Sequence, residues 1–96
     1  MDPVLEGLAL EKALTRESGW LAGLARSLVR DPERAEDAVQ ETLVAALERR
    51  HEPRRSLRGW LRTVLASRLA QQGRASERRQ WRERARAEER LAPDAG

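Results

Sequence analysis

The chain has 96 residues, enough for one small domain. It has no cysteine and one histidine, His51, so disulfides, thiolate metal sites and a histidine cage are excluded, and neither metal nor cofactor is expected. Its formal net charge of +3 is unevenly placed: residues 1–50 carry seven basic and ten acidic side chains, a net of −3, and residues 51–96 carry twelve and six, a net of +6.

A split of that kind suggests one acidic and one basic partner surface. Eighteen of the nineteen basic residues are arginine, the side chain best suited to phosphates and to stacking on bases. No apolar run approaches the roughly 18 residues of a membrane helix. The N-terminus lacks a basic segment ahead of an apolar one, and a cytoplasmic location is expected. Nothing alternates with the period of a strand, and Ala, Leu, Arg and Glu dominate, so the chain reads as all-α.

The first helix is expected over about 11–30, after a short turn near Val4–Leu10. Leu14, Leu21, Leu24, Ala25 and Leu28 recur at helical spacing as its core stripe. Gly19 and Gly23 weaken that helix and are expected to admit a close neighbour. Asp31-Pro32 starts the second helix, over about 32–49, with Asp as N-cap and Pro in the first turn. Ala35, Ala38, Val39, Thr42, Leu43, Ala46 and Leu47 form its inner face. Glu33, Asp37, Gln40, Glu41, Val44 and Glu48 form the outer one, with Arg34 at its edge. Acids, an amide and one aliphatic side chain suit a polar helical partner, although charged outer faces also serve plain solubility.

A polar loop over 50–55, broken by Pro53, leads to Ser56, which can cap the third helix over about 57–72. Leu57, Trp60, Leu61, Val64, Leu65 and Leu69 face the core, and Trp60 is expected to pack there before it stacks on anything else. The opposite face is small: Gly59, Thr63, Ala66, Ala70 and, at its edge, Ser67. Arg58 and Arg62 flank it on one side and Arg74 on the other, and Arg54 and Arg55 extend the basic surface from the loop. Such a face admits either a second helix or a nucleic-acid backbone whose phosphates the arginines reach. Gly73 is expected to loosen or end this helix. Beyond it, Arg and Glu alternate with Ala and Gln as a charged helical extension held by side-chain ion pairs. Only Trp81 and Leu91 could anchor that extension, and residues 92–96 read as a disordered end.

Catalysis has no support, because no nucleophile, oriented base, closed pocket or phosphate-binding glycine loop can be assembled. The segment 24–43 contains Asp31-Pro32-Glu33 and Ala35-Glu36-Asp37-Ala38-Val39-Gln40-Glu41-Thr42. It resembles the region 2 signature of extracytoplasmic-function (ECF) bacterial sigma factors. Ser56-Leu57-Arg58-Gly59-Trp60-Leu61-Arg62-Thr63-Val64-Leu65 is similar to the basic segment that follows in those proteins. The resemblance spans about 14–79 and implies a compact three-helix sigma region 2 bundle over 1–74, with a charged helical extension over 75–96.

It implies partners as well. Asp37, Gln40, Glu41 and Val44 match positions that dock on the β′ clamp helices of RNA polymerase, and segment 50–74 matches the part that recognises and melts the promoter −10 element. The expected DNA-binding residues are Arg54, Arg55, Ser56, Arg58, Arg62, Ser67 and Arg74, with base contacts from the loop and from Ser67. An anti-sigma factor is a further partner that the family suggests. Leu57 stands where an aromatic is common, Ser67 near a usual Asn and Gln71 near a usual Asp, and the loop is short. The family's second domain, a helix-turn-helix, has no counterpart in these 96 residues. Two alternatives stay open: a polymerase-binding decoy or regulator without promoter reading, and a helical module that binds nucleic acid nonspecifically.

Overall fold

A computed structural model describes residues 3–52 and 54–91, with side chains from Leu8 onward. Three helices account for nearly all of it: α1 (Pro3–Leu28), α2 (Pro32–Glu48) and α3 (Leu57–Leu91). The expected break at Pro53 and the expected disordered end at 92–96 lie outside the described residues.

Local chemistry sets the boundaries. The Asp31 carboxylate accepts from the Glu33 amide at 2.9 Å, and Pro32 opens α2. The α2 helix closes with the Arg49 amide donating to the Ala45 carbonyl at 3.0 Å. Ser56 starts α3 from both ends of its own structure. Its Oγ accepts from the Gly59 amide at 3.2 Å and its carbonyl accepts from the Trp60 amide at 3.0 Å.

The α2 helix is the central element; α1 and α3 each pack mainly on it and only lightly on each other. Its inner face is small, and Ala35, Ala38 and Ala46 are buried, which lets both neighbours come close. Leu14, Leu21 and Ala25 of α1 and Leu61, Leu65 and Leu69 of α3 complete the core with Val39. Thr42 is fully buried, and its hydroxyl donates to the Ala38 carbonyl at 2.7 Å, so no polar group is orphaned there.

Several expectations are corrected. Residues 4–10 are the first turns of α1 rather than a separate turn. Leu28 is 54% exposed, because α1 ends there and Val29 packs onto the core instead. Gly19 and Gly23 admit no neighbour: a Cβ at either would meet nothing within 4 Å. Ala45 is buried although the spacing argument omitted it.

The largest difference is at Gly73, where α3 continues unbroken to Leu91. A mid-helix glycine costs about 1 kcal/mol relative to alanine, and the strong helix formers on both sides outweigh it. Among its described residues the extension carries no ion pairs. Among the described residues the single salt bridge joins Arg58 to Glu17. The opposite charges at Arg79/Glu83 and Arg84/Glu88 run with Arg first, the weaker orientation for a pair four residues apart. Arg82 and Arg90 instead donate to the Arg78 and Arg86 carbonyls at 3.4 Å. Trp81 and Leu91 anchor nothing, being 72% and 83% exposed. The bundle is compact, but this arm draws the molecule out to a longest extent of 75 Å.

Candidate functional site

Two surfaces meet the description of a functional site, and α2 carries the first. Asp37, Gln40, Glu41 and Val44 follow one another at helical spacing on the outer face, all exposed, with Val44 at 50%. Arg34, the one cation within α2, turns away. Its Nη2 donates to the Leu69 carbonyl of α3 at 3.4 Å. The stripe is therefore anionic along its length, with Glu33, Glu36 and Glu48 also exposed. Beside it runs an open groove between α1 and α2, floored by Val39, Leu43 and Ala22 and edged by Ser18, Gly19 and Gln40. A second hollow continues past Glu11, Thr15, Val44 and Leu47. Gln40 borders both, so a partner on the stripe would also meet α1.

The second surface is basic and begins where α2 ends. Arg54, Arg55 and Ser56 come together around a hollow that also takes in Arg49, Glu52, Gly59, Trp60 and Thr63. Arg54 is half-buried and tied to the fold. Its Nη2 donates to the Ala46 carbonyl at 3.0 Å and the Arg49 carbonyl at 2.8 Å, where the unpaired carbonyls of α2 carry partial negative charge. Its guanidinium stacks on Trp60 at 4.4 Å from the ring centroid. Trp60 is thus half core and half platform. Arg55 and Ser56 are exposed.

Arg58 and Arg62 lie apart from that hollow, on the side of α3 toward α1. Both guanidinium groups stand over Trp20, at 4.8 and 5.8 Å from its centroid, and Arg58 Nε also donates to the Glu17 carboxylate. Ser67 is exposed on the small outer face. Arg74 is exposed sixteen residues beyond Arg58, roughly 24 Å along the helix at 1.5 Å per residue. The basic residues thus form a loop cluster, a Trp20-backed pair and one distant arginine.

Sequence reasoning missed Trp20 and Glu17. Their sequence signal is faint: they sit three residues apart on one face of α1, and only the α1–α3 crossing reveals what they hold. The same applies to Arg34, whose partner is 35 residues away.

The helix order, the capped start at Asp31-Pro32 and the acidic-then-basic arrangement can be set against known proteins. Neither a curated protein sequence nor a solved structure matches the chain. The family model of sigma-70 region 2 matches residues 14–86, which takes in the core of α1, all of α2 and most of α3. The chain belongs to the sigma-70 region 2 family.

Proposed function

We propose that this domain docks on the β′ clamp helices of bacterial RNA polymerase through Asp37, Gln40, Glu41 and Val44, and that its basic surface recognises and melts the promoter −10 element. The observation that carries the first half is the exposed, uniformly anionic stripe with one aliphatic side chain in it, left so because Arg34 is drawn to α3. Charge complementarity with a basic helical partner would speed and orient docking, and Val44 would supply the apolar contact at its centre. On this reading the working unit is 1–74, residues 75–96 extend from it, the protein acts in the cytoplasm alongside polymerase, and it catalyses nothing itself.

For the second half, Arg55, Ser67 and Arg74 are exposed and unengaged, ready for phosphate or base contact, and Ser56 is exposed while its Oγ caps α3. Arg54 would act by holding the loop against α2 rather than by reaching DNA. Arg58 and Arg62 would bind phosphates while their guanidinium faces remain on Trp20. A decoy reading, in which polymerase is bound and the promoter is not read, draws support from these same engagements, since three of the five arginines expected to bind DNA already have partners within the chain.

Binding of the purified chain to isolated clamp helices tests the proposal, with Asp37→Arg and Gln40→Ala alongside. Binding by the parent and its loss in Asp37→Arg is expected. A folded parent that does not bind would reject the polymerase reading. A preference for a −10-like single strand over a scrambled one, weakened by Arg55→Ala, separates promoter reading from the decoy. Steep salt dependence with no sequence preference would point to nonspecific binding instead.

A further inference from the structure

The arm of α3 beyond the bundle presents one stripe that nothing among the described residues covers. Ala70, Arg74, Glu77, Trp81, Arg84, Glu88 and Leu91 recur at steps of four and three, the spacing of a two-helix seam. All seven are exposed. Two of the large apolar side chains that α-helices here leave in solvent, Trp81 and Leu91, belong to this stripe. None of its four charged members has an ion-pair partner among the described residues.

The order of these residues is self-complementary. Set against an antiparallel copy centred on Trp81, each stripe position faces the one equally far, to within one residue, on the other side. Trp81 meets Trp81. Arg74 and Glu88 each lie seven residues from the centre and face each other. Glu77 and Arg84 lie four and three residues away and face each other on one side of the seam. Ala70, eleven residues away, faces Leu91, ten residues away. No like charges meet along the stripe, and each pair off the axis occurs twice, as a two-fold interface requires.

We propose that this stripe is a homodimer interface in which two copies pair through antiparallel α3 arms with Trp81 on the two-fold axis. The charge distribution favours a second copy over nucleic acid. The stripe itself is balanced, two arginines against two glutamates; Arg78 and Arg82 flank Trp81 at its edge, while Arg79, Arg86 and Arg90 point around the other side of the helix. A phosphate backbone laid on the stripe would meet both carboxylates. The interface leaves the anionic stripe of α2 untouched and does not depend on the polymerase reading. With one aromatic and one aliphatic anchor per protomer it should be weak, with a dissociation constant on the order of tens of micromolar.

Sedimentation equilibrium of the full chain tests it. Concentration-dependent dimers are expected, with Trp81→Ala weakening association at least tenfold at unchanged helix content by circular dichroism. Glu77→Arg and Arg84→Glu should each weaken it, and the double variant should regain it, since the swapped charges again face each other. Because the chain has no native cysteine, introduced ones report the register. A mixture of Glu77→Cys and Arg84→Cys chains should form a disulfide between them faster than either forms with itself. A helical chain that stays monomeric at several hundred micromolar overturns the proposal, as does preferential self-crosslinking of Glu77→Cys. Monomers whose oligonucleotide affinity falls with Trp81→Ala would overturn it in favour of a nucleic-acid surface.

Discussion

The two halves of α3 are one helix under two regimes. Residues 57–72 bury Leu61, Leu65 and Leu69 against α2, and two of their three arginines, Arg58 and Arg62, are engaged on Trp20, with Arg54, just before the helix, on Trp60. Residues 74–91 bury no large side chain, and their arginines find only carbonyls of their own helix. Both halves are helical because Arg, Glu, Ala and Gln favour helix in either setting. Apolar side chains at core spacing decide which half docks. Helix propensity and docking are separate properties, and this chain changes the second while keeping the first.

The contrast is broken most directly by cutting at equivalent depths of side chain. Leu61→Ala should cost about 2–5 kcal/mol, because the deleted methyl groups leave a cavity among fully buried neighbours. Leu61→Asp should prevent folding altogether. Leu91→Ala should leave the thermal midpoint of dilute, monomeric protein unchanged. Leu43, half-buried at the groove, should fall between them. Thermal unfolding followed by circular dichroism reads all four, and equal effects of Leu61→Ala and Leu91→Ala would mean that the two halves do not differ as described.

Next in size is Arg54. Removing its side chain takes away two hydrogen bonds to the end of α2 and the stacking on Trp60, together about 1–2 kcal/mol. The figure is held down because its buried Nε has no partner to lose. Arg55→Ala, one residue along and exposed, should change stability by less than about 0.5 kcal/mol. Adjacent arginines of one loop thus divide between holding the fold and facing solvent, and a denaturant titration of the two variants measures the division.

Such divisions mark the limit of what the residue order discloses. The three helices, the start of α2, the Ser56 cap and the inner faces around Leu21, Ala38 and Leu65 follow from spacing and capping chemistry, which are local. The exposed stripe Asp37–Gln40–Glu41–Val44 is legible for the same reason, as the complement of a buried face. The engagement of Arg34, Arg54 and Arg58 is not, because each depends on where a second helix crosses. The continuation through Gly73 is not either, because a lone glycine has the local signature of a helix end, and only the summed propensity of the helix formers on both sides carries α3 through it.

That glycine sharpens the comparison, since it stands where the docked half gives way to the free one. A Cβ at Gly73 would meet only the Arg34 Nη2, at 3.7 Å, an ordinary contact. Gly73→Ala should therefore stabilise by up to about 1 kcal/mol through backbone propensity. Gly19→Ala, with open space around it, should do the same on α1. A loss of stability at Gly73 with a gain at Gly19 would show that Arg34 needs closer approach to α3 than its bond to Leu69 implies.

The smallest effect on stability belongs to Glu17. Its ion pair with Arg58 joins partners that are 24% and 55% exposed, so screening by water keeps its worth below about 1 kcal/mol, and Glu17→Gln should barely move the unfolding midpoint. Its effect on binding should be larger. A phosphate that engages Arg58 must displace the Glu17 carboxylate, whereas Trp20 can keep its hold on the face of the guanidinium while the edge turns to the ligand. Glu17→Gln should raise affinity for a single-stranded oligonucleotide several-fold at low salt, and the gain should fade as salt screens the competing charge. Fluorescence anisotropy across a salt series measures it. If affinity is unchanged at every salt concentration, Arg58 takes no part in binding, and the basic surface of α3 contracts to the loop around Arg55 and Ser56.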